Sequence, residues 1–157
     1  MLLNNAYELI EVGKYTEALK FYDKVLEIEP NNLGAIIDNG VTLQNLGFLR
    51  KAIEMYERAL ILDGENPTVL VNLGSALHTL GKYTEAIYCY NIVLKLDKKN
   101  AMALAYKGLS VGELGNISSS IKYFKKALSV DSNYDLAQIS LESARNITDS
   151  KRLYKKH

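Results

Sequence analysis

The sequence lacks tryptophan and contains only one cysteine, two prolines and two histidines among its 157 residues. The single cysteine, Cys89, excludes an intrachain disulfide, a zinc cluster of cysteines and a C-x-x-C redox pair. A chain without disulfides fits a reducing compartment, and we expect a cytoplasmic protein. We predict no metal site and no cofactor. The phosphate loop G-x-x-x-x-G-K-[ST] is absent, and His78 has no Cys, Asp or Glu three or four residues away.

A strong charge of one sign and a long apolar run are absent as well. The formal net charge is +1, whereas a nucleic-acid-binding domain is usually basic, so we expect no nucleic-acid partner. The longest stretch without a charged residue, Asn66 to Gly81, is too short and too polar to span a bilayer. We therefore predict no membrane span.

The segment 150–157 is a basic tail. Its positive side chains are Lys151, Arg152, Lys155 and Lys156. Two interpretations of this tail remain open. It binds an anionic partner, or it is a solvated terminus that keeps the protein soluble.

The hexapeptide GKYTEA occurs twice, at Gly13–Ala18 and again, unchanged, at Gly81–Ala86. A related segment begins midway between the copies, at Gly47, and another begins at Gly115. The four glycines are therefore spaced by 34 residues, without an insertion or deletion. A fixed period of this length is typical of repeat proteins, in which each repeat stacks on its neighbours.

Other positions follow the same period and fall on one face of a helix. Tyr90 follows Ala86 at four residues, which is helical spacing. Each repeat thus predicts two antiparallel helices, about Pro67–Leu80 and Tyr83–Leu96 in the third repeat, joined at a glycine that adopts a left-handed conformation cheaply. The repeated residues form a glycine column, a small column, an aromatic column and a capping column: Ala6, Gly40, Gly74 and Gly108; Ala18, Ala52, Ala86 and Ser120; Tyr22, Tyr56, Tyr90 and Phe124; Asn32, Asn66 and Asn100.

These columns resemble the tetratricopeptide repeat (TPR), and the third repeat, NLGSALHTLGKYTEAIYCYNIVLKLD, is similar to that family's pattern. The resemblance implies an all-α, right-handed superhelical solenoid of four tandem 34-residue helix-turn-helix repeats. Their predicted bounds are 1–32, 33–66, 67–100 and 101–134, followed by a capping helix at about 135–149, so that 1–150 form one TPR domain. The fourth repeat departs from the pattern at Ser118–Ser120, and we expect it to be the least stable because Ser120 must satisfy a buried hydroxyl.

In this family the first helices form a concave groove, and the resemblance implies which side chains line it here. We call this predicted set the groove wall. It consists of Leu3, Asn4, Tyr7, Glu11, Ile37, Asp38, Val41, Gln44, Asn45, Val71, Asn72, Ser75, His78, Ala105, Tyr106, Leu109, Glu113 and Ile139.

The groove wall contains aliphatic, amide and carboxylate groups but no Lys or Arg. The Lys, Arg and Asn clamp with which co-chaperones of the family hold a C-terminal carboxylate is therefore lacking, and only Asn4 and Asn72 are of a suitable type. An anionic peptide would lose its hydration without gaining a counter-ion. We therefore predict a non-catalytic protein–protein interaction module, an adaptor or assembly scaffold that binds an apolar or weakly basic peptide segment.

Three alternatives stay open at this stage. The wall could bind no ligand at all. The chain could instead self-associate, through end-to-end stacking of repeats or by placing its basic tail in a neighbour's groove. Ser75, three residues before His78, could form a nucleophile–base pair, but it lacks an orienting acid, so we expect no enzyme.

Overall fold

The computed structural model describes the backbone of residues 2–154 and the side chains of residues 6–153. Within this range the chain forms nine α-helices and no β-strand, which confirms the predicted fold class. No helix in the described range is long and apolar enough to cross a membrane. The helices are α1 (Leu2–Glu11), α2 (Tyr15–Ile28), α3 (Leu33–Asn45), α4 (Leu49–Leu62), α5 (Pro67–Thr79), α6 (Tyr83–Leu96), α7 (Ala101–Glu113), α8 (Ile117–Val130) and α9 (Asp135–Tyr154).

The glycine that recurs every 34 residues lies in the turn between the two helices of each repeat. Gly13, Gly47, Gly81 and Gly115 have φ angles of 76°, 81°, 78° and 86°. A side chain with a Cβ adopts this left-handed conformation only with strain, so glycine ends the first helix without cost. The prediction for this position is confirmed.

The predicted asparagine caps are also confirmed. The side-chain oxygens of Asn32, Asn66 and Asn100 accept hydrogen bonds from the amides of the third following residue, at 3.0, 3.1 and 2.9 Å. Each bond satisfies one of the amides that a helix start leaves without an intrahelical partner. Asn116 caps α8 in the same way, at 3.2 Å.

The aromatic column forms the centre of the core. Tyr22, Tyr56 and Tyr90 are completely buried, and Phe124 is 3% exposed. In the second and fourth repeats the glycine column makes room for these rings. A Cβ added at Gly40 would lie 2.7 Å from Cε1 of Tyr56, and one at Gly108 would lie 2.7 Å from Cε1 of Phe124. The small residue is thus required by the ring that it faces.

Contacts divide the chain into two compact units, residues 1–80 and residues 81–157. We call them unit 1, which contains α1 to α5, and unit 2, which contains α6 to α9. Within each unit every helix packs against the next one along the chain.

The last helix is longer than predicted. It continues to Tyr154, so Lys151 and Arg152 lie on its final turns rather than in a tail that starts at residue 150. No glycine or proline occurs between Asp135 and Tyr154, and nothing in the sequence stops the helix near residue 149. Lys155, Lys156 and His157 lie outside the described residues.

Two polar residues of the fourth repeat stand where the third repeat has apolar ones, Ser120 in place of Ala86 and Lys107 in place of Leu73, and both have partners. Ser120 is 1% exposed, and its Oγ donates a hydrogen bond of 2.8 Å to the carbonyl oxygen of Ile117. Lys107 is half-buried and places its Nζ 4.5 Å from the centre of the Tyr123 ring. At this distance the cation is attracted to the ring face.

Candidate functional site

Two residues of the groove wall meet at the start of unit 1. Tyr7 of α1 donates a hydrogen bond from its Oη to Oδ2 of Asp38 on α3, at 2.8 Å. Burial raises the pKa of the Asp38 carboxyl above its ordinary value, and the bond from Tyr7 opposes this shift. The same bond raises the pKa of Tyr7. Among the described residues, Tyr7 is the side chain that donates a hydrogen bond to this carboxylate.

A third polar group belongs to this corner of unit 1. Tyr22 of α2 is completely buried, and its hydroxyl has no hydrogen-bond partner among the described residues. Burial raises the pKa of this hydroxyl, and the nearby charge of Asp38 raises it further. A buried donor without a partner costs free energy, so the Tyr22 hydroxyl retains hydrogen-bonding capacity that no described residue uses.

The next polar group along α3 is fully engaged. Tyr56 donates from its Oη to Oε1 of Gln44 at 2.8 Å, and Nε2 of Gln44 donates to Oγ of Ser75 at 3.2 Å. This chain of bonds runs from the core residue of α4 through α3 to α5. It fixes the rotamer of Gln44 and ties together three helices of unit 1.

Asn72 differs from Gln44 because, among the described residues, its side chain makes no hydrogen bond. It is half-buried on α5, one turn before Ser75. Its amide can therefore donate to and accept from the backbone of a bound chain. We call the surface of α1, α3 and α5 that carries Tyr7, Asp38, Gln44, Asn72 and Ser75 the first-unit face.

The remaining wall residues of unit 1 vary in exposure. Ile37, Val41 and His78 are half-buried, whereas Glu11 and Asn45 are exposed. Val71 is only 5% exposed and belongs to the core, so it offers almost no surface to a partner. The predicted side chains of Leu3 and Asn4 lie outside the described residues.

In unit 2 three predicted residues line one cavity. Leu109 and Glu113 of α7 face Ile139 of α9 across a volume of about 380 Å³. The position that holds Gln44 in the second repeat is Gly112 in the fourth, and Gly112 also lines the cavity. We call this the second-unit cavity. In unit 1 the Gln44 side chain occupies this position and bridges α4 and α5. Gly112 carries no side chain, so space remains at the equivalent position in unit 2.

The other two wall residues of unit 2 are less accessible. Ala105 is completely buried, and Tyr106 is half-buried. The Tyr106 ring stacks on Tyr90 with centroids 6.0 Å apart and an angle of 20° between the planes. Aromatic pairs are favourable at such separations, so the Tyr106 ring stabilises the packing of unit 2 and is also partly exposed on its surface.

Sequence reasoning missed three features of these surfaces. The unsatisfied hydroxyl of Tyr22 could not be anticipated, because an aromatic column predicts burial but not the partners of its hydroxyls. Gly112 could have been found, since the 34-residue period aligns it with Gln44. Ile147 lines the second-unit cavity from α9, beyond the last full repeat, where the period offered no guide.

Of the possible nucleophile–base pair Ser75 and His78, Ser75 takes part in hydrogen bonds between and within helices. Ser75 Oγ accepts the bond from Gln44, as described above, and Thr79 Oγ1 donates to the Ser75 carbonyl oxygen at 3.0 Å. In the described part of the chain, no group of three or more His, Cys, Asp or Glu side chains could hold a metal ion. The polar chemistry of the first-unit face is therefore hydrogen bonding and one partly buried carboxylate.

Comparisons with known proteins agree with the fold. Sequence profiles of the tetratricopeptide repeat match residues 37–101, and residues 1–32 and 107–134. No curated protein sequence matches the chain. Many solved structures are similar to it, and the three described next have identities that show the fold alone.

The crystal structure of MamA is 23% identical with a TM-score of 0.80, and the alignment covers 99% of this chain and 86% of MamA. YrrB, described as a TPR protein with an unusual peptide-binding site, is 22% identical with a TM-score of 0.73, and 94% of this chain and 76% of YrrB are covered. The first TPR of Spaghetti (RPAP3), bound to the HSP90 peptide SRMEEVD, is 20% identical with a TM-score of 0.70 over 74% of this chain and 93% of that one. With its helix pairs, its 34-residue period and these matches, the chain belongs to the tetratricopeptide repeat family.

Proposed function

We propose that the chain is a non-catalytic cytoplasmic adaptor or assembly scaffold whose first-unit face binds an apolar or weakly basic peptide segment. The TPR fold supports a protein–protein interaction module, and two similar structures are described with a peptide or a peptide-binding site. That support is an analogy of fold, so the choice of ligand depends on this chain's own side chains.

The proposal is carried by two polar side chains that hold the same position in successive repeats, Asp38 on α3 and Asn72 on α5. Asn72 offers an unengaged amide, which suits the backbone of an extended or helical segment. Asp38 is a carboxylate whose pKa is raised by burial. A lysine or arginine of the ligand beside Asp38 would supply the missing counter-charge, and Ile37 and Val41 would contact its apolar neighbours.

An acidic peptide fits this face poorly. The peptide in the Spaghetti structure, SRMEEVD, carries two glutamates and an aspartate. On this chain such groups would approach Asp38 and Glu11 where the groove wall supplies no Lys or Arg. Like charges repel, and a desolvated carboxylate without a partner is costly. The two proteins should therefore differ in ligand charge despite their common fold.

Selection from a random peptide library, followed by fluorescence anisotropy on the selected peptides, tests the proposal. We expect selected peptides to be rich in aliphatic and basic residues. Asn72→Ala should weaken binding about three- to tenfold, the value of one hydrogen bond. Asp38→Asn should weaken basic peptides and leave neutral ones unchanged. Asn91→Ala, at an exposed position of α6, is the matched control and should have no effect. Predominantly acidic binders, or binders insensitive to both variants, would show that the proposal is wrong.

Self-association remains the second proposal for this chain. Lys151 and Arg152, at the end of α9, could contact the groove-wall carboxylates Glu11 and Asp38 in another copy. Sedimentation velocity over a range of protein concentrations tests it. A mass that rises with concentration and returns to the monomer value in Lys151→Gln with Arg152→Gln supports this role, and a monomer at every concentration excludes it.

A further inference from the structure

A second cleft in unit 2 carries the opposite charge to the first-unit face. It lies where the start of α8 meets the end of α9, and it has a volume of about 620 Å³. Four of its lining residues are cations, two from each helix, and no carboxylate lines it. We call it the basic cleft, and its cations are Lys122 and Lys125 of α8 and Lys151 and Arg152 of α9.

Among the described residues, one acid forms an ion pair with these cations, and it does not neutralise them. Oδ1 of Asp149 lies 3.8 Å from Nη1 of Arg152, but the two side chains are 68% and 77% exposed. An ion pair this exposed is screened by water and contributes little. Lys122, Lys125 and Lys151 are exposed and form no ion pair within the described residues. Four like charges around one cleft raise the local potential and attract an anion.

Part of the lining of the cleft is apolar, and this limits which class of anion would fit it. Ile117 and Ile121 of α8 and Ile147 of α9 line it, and Ile147 is 44% exposed. Ile117 and Ile147 also line the second-unit cavity, so the two depressions share these side chains. An inorganic phosphate or a nucleic-acid backbone would contact the lysines but leave the isoleucines in water. A ligand that carries both carboxylates and a large apolar side chain would cover both parts.

We infer that the basic cleft is a second binding site, for an acidic segment of a protein partner that places an aliphatic or aromatic side chain against Ile117, Ile121 and Ile147. Carboxylates on both sides of that side chain pair with Lys122 and Lys125 on α8 and with Lys151 and Arg152 on α9. This site is separate in residues and opposite in charge to the first-unit face. It therefore selects a different segment, in the same partner or in another one.

Fluorescence anisotropy with three labelled peptides tests the inference on the full chain. The probe is Asp-Glu-Leu-Phe-Glu-Asp; one control replaces its acids by Asn and Gln, and the other replaces Leu and Phe by Ser. We expect both controls to bind about tenfold or more weakly than the probe. Binding of the probe should also weaken between about 50 and about 300 mM salt, because exposed charges are screened over a Debye length.

Matched variants assign the binding to the cleft. Lys122→Gln with Lys151→Gln should weaken the probe about tenfold, whereas Lys95→Gln with Lys98→Gln, which removes the same charge elsewhere in unit 2, should leave it unchanged. Ile147→Ser should weaken the probe but not the peptide that lacks Leu and Phe. Asp38→Asn and Asn72→Ala should bind the probe as the unaltered chain does, which separates this site from the proposed function.

Three results would overturn the inference. The first is equal binding of the probe to both lysine double variants. The second is equal binding of the probe and the peptide with Ser in place of Leu and Phe, which would reduce the cleft to a non-specific basic patch. The third is displacement of the probe by pyrophosphate, added at the same total negative charge as the probe, or by vesicles containing anionic lipid. A phosphate-bearing ligand rather than a protein segment would then be the occupant.

Discussion

In unit 1 the position near the end of α3 holds Gln44, and in unit 2 the equivalent position near the end of α7 holds Gly112. Gln44 receives the hydroxyl of Tyr56 and donates to Ser75, so it links three helices. Gly112 leaves the second-unit cavity, which α7 shares with α8 and α9. The repeated columns hold residues of the same kind in both units, so this difference comes from a column that does not repeat. Such columns decide whether a first helix offers polar bonds or an apolar space.

The aromatic column shows the same contrast between hydroxyls. Tyr56 has a partner because Gln44 lies above it. Tyr22 in unit 1 and Tyr90 in unit 2 have none among the described residues. Phe124, the last member of the column, avoids the question by having no hydroxyl. The ring is what the fold requires, and the hydroxyl is useful only where a neighbour can bond to it.

The largest expected effect concerns the two glycines of α7. Gly108 is packed against a ring, whereas Gly112, in the same helix, lines the second-unit cavity. A Cβ at Gly108 would lie 2.7 Å from the buried Phe124 ring, whereas one at Gly112 would lie 3.5 Å from Cβ of Ser120, an ordinary contact. We expect Gly108→Ala to lower the free energy of unfolding by about 1–3 kcal/mol through overpacking. Gly112→Ala should raise it by about 0.5–1 kcal/mol, since alanine favours the helix.

Urea unfolding followed by circular dichroism measures both changes. The pair is informative because the chemical change is identical and only the neighbour differs. Equal effects of the two substitutions would contradict the view that the Phe124 ring is what requires glycine in this column.

The second prediction compares two hydroxyls of unit 1. Tyr56→Phe removes the bond to Gln44 and leaves the Oε1 of a half-buried amide without that donor, so it should cost about 0.5–1.5 kcal/mol. Tyr22→Phe removes a buried hydroxyl without a partner and should be neutral or stabilising. The free energies of unfolding of the two variants, measured in parallel, test the contrast. A cost for Tyr22→Phe as large as that for Tyr56→Phe would show that the Tyr22 hydroxyl has a partner in solution.

Most of the fold could be predicted from the sequence, because the 34-residue period repeats the residues that set backbone geometry. The turn glycines, the asparagine caps and the buried aromatic column each impose a local requirement that only a few residue types meet. The end of α9 could not be located this way, because the helix runs past the last repeat without a stop signal.

The surfaces were less predictable than the fold, since exposure depends on neighbours from other helices. Val71 and Ala105 were assigned to the groove wall by their column, yet they are 5% and 0% exposed. Ile37 and Ile139 share that column and are half-buried and 65% exposed. One position in the repeat therefore serves as core in some repeats and as surface in others. Only the three-dimensional packing distinguishes them.

The third prediction concerns the charge that sets unit 1 apart. Burial raises the pKa of Asp38 in the folded chain, so the folded state holds this proton more tightly than the unfolded state. Stability from this group is therefore present below the unfolded pKa and is lost as the pH rises through the folded pKa. Asp38→Asn keeps an oxygen that can accept the bond from Tyr7 but carries no charge. The free energy of unfolding of the variant, minus that of the unaltered chain, should therefore increase between about pH 3 and about pH 7.

Urea unfolding of both chains at both pH values measures this difference. The other titrating groups are present in both chains, so their contributions cancel. The same substitution should weaken basic peptides, so stability and binding would change in opposite directions. A variant that is less stable than the unaltered chain at neutral pH would mean that the carboxylate is better stabilised than its burial indicates.

The smallest expected effect tests whether the fourth repeat in unit 2 is weakened by its departure from the pattern. The small column holds alanine in the first three repeats and Ser120 in the fourth. The Ser120 hydroxyl is buried but bonds to the Ile117 carbonyl within its own helix, so its polar cost is largely met. Ser120→Ala should therefore raise the free energy of unfolding by no more than about 0.5 kcal/mol, the difference in helix propensity. Hydrogen exchange of the α8 amides, compared between the two proteins, detects a change of this size locally. A much larger gain in protection would mean that the buried serine itself limits the stability of this repeat.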